Sequence, residues 1–371
     1  QRGINLLQQL TNQYRVTLLT YRKHDAEALR HWARAHHLPL RWLPGLPRRG
    51  EGGLAQRLLA DQPPGFSTHP PDVIAGAINE AWRDVGPFDI LYFATQLTGQ
   101  VALSAKWPAR SVLDLYDVYT PLRRSKVARV PRHRPYHWLF LLEAMRTRRY
   151  EKRVLEACDL IVVPSEKDAQ VVNSLSPDAW VGIIPNGVNL LSGPLDRSSK
   201  PMVLMVGNYG HAPNAEGVQW FVHNVWASVI ETVPSARLCL VGQAPKAFQR
   251  EIQGVSNAKV VGRVPDLRPF YAQAACAIVP ILSGGGTRLK LLEAMAWGVP
   301  VVTTTWGASG VNHRGTLQVV DAADGFAEAV IRCLTSPESV AETTREARRV
   351  VEEQYSWDGI GTKLLRLLRH L

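Results

Sequence analysis

Short runs of apolar, often β-branched residues alternate along the chain with longer segments whose apolar positions recur every three to four residues. The runs Val16–Tyr21, Ile90–Phe93, Val112–Leu115, Leu160–Val163 and Val181–Ile184 predict buried strands. After a gap a second series follows at Met202–Val206, Leu238–Val241, Lys259–Val261, Ala277–Pro280, Val301–Thr304 and Leu317–Val320. These runs are apolar on both faces and separated by amphipathic stretches such as Val218–Glu231 and Leu289–Trp297. That pattern belongs to parallel βαβ units whose helices cover both faces of the sheet. The gap at Asn189–Pro201 (NLLSGPLDRSSKP) has no such periodicity and predicts an interdomain linker.

The expectation is therefore α/β: two Rossmann-like, doubly wound domains facing a cleft lined by the carboxyl ends of both sheets. Residues 1–190 would form the first domain and 198–356 the second. A last helix within 357–371, apolar at Ile360, Leu364, Leu367, Leu368 and Leu371, would pack back across the linker. Arg2–Asn12 reads as a helix leading into the first strand with no strand before it, so one opening element of the usual pattern is missing or removed. Pro44–Pro71 reads as a long loop.

The chain has 371 residues, enough for two domains, and is 46% hydrophobic and 20% charged, so it can bury sizeable cores. No run of about 18 uncharged apolar residues occurs, which excludes a spanning helix within this sequence. Residues 1–20 lack the layout of a secretory signal. Cys158, Cys239, Cys276 and Cys333 lie far apart with no CxxC pair. That spacing argues against a zinc site or disulfide framework and fits a reducing cytosol.

Charge sharpens the picture. The net charge is +11, and eleven basic residues fall between Pro121 and Arg153 (Arg123, Arg124, Lys126, Arg129, Arg132, Arg134, Arg146, Arg148, Arg149, Lys152 and Arg153), opposed only by Glu143 and Glu151. Such a segment either meets an anionic partner, such as a lipid headgroup or a phosphorylated substrate, or is a solvated Arg-rich face. The aromatic and leucine positions of Tyr136–Met145 read as core rather than membrane anchor. No interleaving of basic and aromatic residues recommends nucleic acid as the partner.

Generic motifs are missing: GxGxxG, GxxxxGK[ST], HExxH and GxSxG do not occur, which removes support for dehydrogenase, P-loop ATPase, zinc protease and esterase readings. The carboxyl half carries the informative block, Cys276–Thr304 (CAIVPILSGGGTRLKLLEAMAWGVPVVTT). A buried strand ends at Pro280, then come Gly284, Gly285 and Gly286, and a helix is expected to open near Thr287. Glycines let a phosphate approach the backbone closely, and the free amides and positive end of the helix form an anion site. Arg288 and Lys290 sit in the first turn, where cations oppose the helix dipole unless an anion lies between them. Glu293, three residues after Lys290, could accept hydrogen bonds from a ribose diol. The bland alternative is a tight strand–helix turn with a Lys290–Glu293 surface ion pair.

Together with Tyr150–Ala169, Ile184–Asn189 (IPNGVN), Met205–Phe221 (MVGNYGHAPNAEGVQWF) and Val261–Leu267, this block resembles the retaining glycosyltransferases of family 4, which have the GT-B fold. The resemblance implies a donor site in the second domain. Glu293 matches the final acidic residue of the family's E-x7-E motif, which binds the ribose. The first glutamate of that motif falls at Gly285 and is lost here, as in a GGG-bearing subgroup, leaving backbone amides around Gly284–Thr287 as the substitute. Gly207 and the loop Asn208–His211 resemble the glycine turn that faces the diphosphate. The family's usual Arg and Lys near that turn do not occur in Gly207–Phe221, which transfers the phosphate task to Arg288 and Lys290. Arg263 and Val264 match positions beside the nucleobase.

In the first domain, Val112–Thr120 (VLDLYDVYT) carries Asp114 and Asp117 where many family members have a His. Asp117 either orients substrate hydroxyls or caps the next segment. What the resemblance implies overall is a hexosyltransferase of polysaccharide or glycolipid synthesis. No DxD-type pair sits on a convincing loop, the DxxD at Asp114–Asp117 having the wrong spacing, which predicts metal independence. The enzyme would use a nucleoside-diphosphate sugar as substrate, need no cofactor, and act on an acceptor glycan, glycolipid or small molecule. The cysteine usage places it in the cytoplasm, and the basic window suggests a lipid-linked or otherwise anionic acceptor at the inner face of the membrane. In the front-face mechanism inferred for such enzymes the departing phosphate oxygen takes the acceptor proton. Two alternatives stay open: a nucleotide-sugar epimerase of similar architecture, and a non-catalytic sugar-nucleotide-binding protein.

Overall fold

The computed structural model describes residues 2–21, 26–43, 63, 66, 70–116, 118–128, 130–190, 201–283 and 288–371. The chain divides into two compact units, Gln1–Ile184 with Gly361–Leu371, and Pro185–Ile360. Each is a Rossmann-like α/β layer structure.

In the first unit, β1 (Leu18–Tyr21) and β2 (Leu40–Leu43) pair in parallel. A second, four-stranded parallel sheet runs in sequential order through β3 (Ile90–Phe93), β4 (Arg110–Asp114), β5 (Leu160–Val163) and β6 (Val181–Ile183). All four side chains of β5 (LIVV) are buried, as expected for a strand covered on both faces. Three helices of this unit matter below: α1 (Arg2–Thr11), α2 (Tyr119–Ala128) and the 22-residue α3 (Pro135–Glu156). The carboxylate of Glu151, fully buried on α3, accepts hydrogen bonds from the amides of Tyr119 (2.8 Å) and Thr120 (2.9 Å) and from Gln96 Nε2 (2.8 Å). The first turn of a helix has amides without internal partners, so this contact fastens α2 to α3.

The second unit holds six parallel strands: β7 (Met202–Val206), β8 (Arg237–Val241), β9 (Ala258–Gly262), β10 (Ala274–Val279), β11 (Val301–Thr303) and β12 (Gln318–Val319). Their order is β12-β11-β10-β7-β8-β9. The chain winds outward from β7 through β8 to β9, then returns to the other side of β7 and winds through β10 to β12. The connections leaving β7 and β10 therefore diverge. In open α/β sheets that reversal point, at the carboxyl ends of the strands, is where a crevice opens for a ligand. Helix α4 (Ala212–Phe221) follows β7 and α5 (Leu289–Ala296) follows β10. A Cβ on Gly217 would collide with the carbonyl oxygen of Pro280, so this glycine lets α4 lie directly against the end of β10.

The structure departs from the sequence expectation in several places. β2 (LRWL) was not foreseen, because Arg41 interrupts a short apolar run; pairing with β1 decides it, and Arg41 turns out to Asp84 at 2.8 Å. The helix expected from Val218 begins at Ala212 and contains a π turn at Val222–Trp226. Helix α5 starts at Leu289 with Arg288 as its N-cap, close to the expected opening near Thr287. The last helix, α6 (Trp357–Arg369), starts two residues before Gly359. Its final turns belong to the first unit: Leu367 lies against Gly182, and Arg369 donates to Gln13 Oε1 at 2.8 Å. Most of the expected linker Asn189–Pro201 and of the expected loop Pro44–Pro71 lies outside the described residues.

Candidate functional site

The second unit brings the turn after β7 together with the start of α5. Lys290, in the first turn of α5, donates from Nζ to Asn214 Oδ1 at 2.6 Å. Asn214, in the first turn of α4, in turn donates to the Asn208 carbonyl oxygen at 2.8 Å. The ammonium lies over Gly207, where an added Cβ would stand 3.0 Å from Nζ and 3.2 Å from Asn214 Nδ2. Gly207 thus provides the room for a cation against bare backbone. A second glycine follows the next strand for a different reason: Gly242, at φ +135°, passes so close to the Gly207 carbonyl that any Cβ would overlap it.

The electrostatics of the cluster are unusual for a free protein. Burial, together with the nearby positive charge of Arg288, pulls the Lys290 ammonium down from 10.5 to about 8, only partly countered by Glu293. Burial also lowers Arg288, whose Nη2 reaches the Ser283 carbonyl oxygen at 3.4 Å. Glu293 is pushed above the usual carboxylate range by burial, with the Tyr271 hydroxyl (3.5 Å) and Lys290 pulling the other way. Tyr271 itself stacks on Trp297 with ring centroids 5.1 Å apart. Two cations at the amino end of α5, with no acidic residue in its first turn, work against the helix dipole. An anion bound there would relieve the dipole conflict, the repulsion between the cations and their lost hydration.

The other expected residues separate into groups. Asn208 and His211 are exposed; the Asn208 side chain accepts from the Gly210 amide at 2.9 Å, and His211 is the N-cap residue of α4. Arg263 is exposed and Val264 half-buried, directly after β9, which lies two strands from β7. Gly284, Gly285, Gly286, Thr287 and, in the first unit, Asp117 lie outside the described residues. Asp114 is engaged within the fold of the first unit. It is buried, held by Arg2 Nη2 (2.8 Å) and Nε (3.1 Å), and accepts from the Tyr92 hydroxyl at 2.9 Å. Burial lowers the Arg2 guanidinium, but the charge and hydrogen bonds of Asp114 outweigh it and leave the group above its ordinary value.

Sequence reading missed Asn214, Tyr271 and Arg2. Only Asn214 had a readable signal, its place in the first turn of the helix after the glycine loop. Among the described residues no group of three or more His, Cys, Asp or Glu is placed to hold a metal ion.

Two Rossmann-like units, each built on parallel strands, belong to the GT-B class of fold, as the solved structures of similar fold show. The sucrose-phosphate synthase of Thermosynechococcus elongatus is similar over 100% of this chain and 93% of its own, with TM-score 0.68 and 20% identity. The Anabaena protein HepE, solved in complex with UDP and glucose, is similar over 100% and 96%, with TM-score 0.68 and 16% identity. In sequence, residues 200–336, the stretch that carries the Lys290 cluster, match the model of the family Glycosyl transferases group 1. A Corynebacterium glutamicum protein, the GDP-mannose-dependent monoacylated alpha-(1-6)-phosphatidylinositol monomannoside mannosyltransferase, is 31% identical over 155 residues, 38% of this chain and 41% of that protein. An uncharacterized 44.6 kDa protein in the cps region of Klebsiella pneumoniae is 26% identical over 163 residues, 41% and 42% of the two chains. The matches span about two fifths of these curated relatives.

Proposed function

We propose that this chain is a retaining, metal-independent glycosyltransferase that moves a sugar from a nucleoside-diphosphate sugar to an acceptor hydroxyl. The observation that carries the reading is Lys290: an ammonium half-buried at the switch point, over bare glycine backbone, beside a second cation. A protein holds such a group against its desolvation cost where an anion is to be bound. HepE, of similar fold, was solved with UDP, and the mannosyltransferase relative is named for GDP-mannose, which supports a nucleoside diphosphate as that anion.

In this reading Arg288, Lys290 and the amides at the start of α5 stabilise the charge that grows on the diphosphate as the bond from the anomeric carbon to the phosphate oxygen breaks. The acceptor oxygen bonds to that carbon on the same face, and its proton passes to the departing phosphate oxygen. No protein base is needed. Glu293 takes the ribose diol. The relative named as a phosphatidylinositol monomannoside mannosyltransferase favours glycolipid synthesis as the setting.

A thermal-shift screen over uridine and guanosine diphosphates and their sugars tests the reading, because a ligand that binds the folded state raises its melting temperature. Glu293→Ala should weaken the effective nucleotide about 10- to 100-fold, the loss of one or two charged hydrogen bonds, while the ligand-free melting point changes little. A shift that persists unchanged in this variant removes the ribose role, and epimerised donor formed without acceptor replaces transfer by epimerisation.

A further inference from the structure

We propose that the outer face of α3 is a docking surface for an anionic lipid bilayer. Successive residues of a helix turn by 100°, so Trp138, Leu142, Met145, Arg149 and Lys152 fall in one stripe. The opposite side, with Ala144, Thr147, Glu151 and Val154, is buried in the first unit. The stripe faces solvent: Trp138 is 61% exposed, Met145 56% and Leu142 42%. Position along the sequence suggested core for these side chains; the structure turns them outward. A contiguous row of large apolar residues at helical spacing on the solvent side of a helix marks an interaction surface.

The charges around the row are mostly positive toward solvent, with Glu156 at its far end as the one exposed acid on the same side. Arg132 and Arg134 stand exposed before it, and Arg148, Arg149, Lys152 and Arg153 after it. The acids of the same window point elsewhere. Glu143 is paired with Arg123 at 2.6 Å, and Glu151 is buried against the amides of α2. Glu156, just beyond the window, meets Lys152 at 3.5 Å. A bilayer surface complements both halves of the stripe at once, with phosphates for the arginines and an acyl boundary for Trp138, Leu142 and Met145. A nucleic acid would leave the leucine and methionine without partners, since its bases stack on aromatic rings. A second copy would bring two strongly positive faces together.

The proposal does not depend on the donor-site reading, because binding is measured without nucleotide or acceptor. Flotation with vesicles of phosphatidylcholine alone and with roughly one third phosphatidylglycerol should show binding only to the anionic set, weakening as salt is raised. Arg148→Gln, Arg149→Gln and Lys152→Gln together should lower partitioning about 100-fold, roughly fivefold per charge. Trp138→Ser, Leu142→Ser and Met145→Ser together should lower it at least about tenfold, also at high salt, where the charge contribution is screened. Both triple variants should melt within a few degrees of the parent, since they change exposed positions only. Equal binding to neutral vesicles, or unchanged partitioning of either triple variant, overturns the proposal. So does full displacement from vesicles by duplex DNA, or a concentration-dependent dimer lost in the serine variant while vesicles are ignored.

Discussion

Replacing Lys290 by methionine, which keeps the length and removes the charge, should make the ligand-free protein more stable and the enzyme much worse. The amine titrates near 8 in the folded chain against 10.5 ordinarily. At neutral pH the fold therefore holds the charged form at a cost of about 3 kcal/mol, at 1.36 kcal/mol for each tenfold change in proton affinity. The sign follows from proton counts: between pH 8 and 10.5 the unfolded chain binds more protons at this group, so its penalty fades as pH rises through that window. Methionine removes the penalty and also the bond to Asn214, a loss of about 1 kcal/mol. The net gain of about 2 kcal/mol should raise the melting temperature by roughly 4–8 °C for a unit of this size. Opposite charges about 4 Å apart near a protein surface interact by about 4 kcal/mol. Losing the cation should then cut kcat/KM about 100- to 1,000-fold and shrink the nucleoside-diphosphate thermal shift. Scanning calorimetry with and without the nucleotide gives both numbers. A variant that melts lower than the parent and keeps the full nucleotide shift would refute the idea that this ammonium is held for an anion.

The same group should shape the pH profile. The alkaline limb of kcat/KM, which reports the free enzyme, should fall near pH 8, while the limb of kcat lies higher because bound diphosphate favours the protonated amine. The limb should vanish in Lys290→Met, and coincident limbs for the two parameters would count against contact with the diphosphate. Asp114→Ala leaves the Arg2 guanidinium buried without its carboxylate and should cost about 3–5 kcal/mol in urea unfolding. A loss under about 1 kcal/mol would show that Arg2 finds water once released.

Much of the architecture was legible because periodicity is a local property. Leu160–Val163 and Met202–Val206 were readable as strands to the residue, since an apolar run covered on both faces has few other uses. Strand β2 was not, because LRWL is held by pairing with β1, a contact absent from its own stretch of chain.

Within the site, the sequence alone determined the ingredients: a glycine turn after the first strand of the second unit, and Arg288, Lys290 and Glu293 at the amino end of one helix. Tertiary structure decided which of them meet. Lys290 reaches Asn214 across 76 positions, and Arg2 neutralises Asp114 across 112. Both pairings depend on strand order and on how each helix lies on its sheet. The outward turn of Trp138, Leu142 and Met145 was settled in the same way. Helical spacing put them in one row, but only the packing of the opposite side of α3 determined that the row would face water.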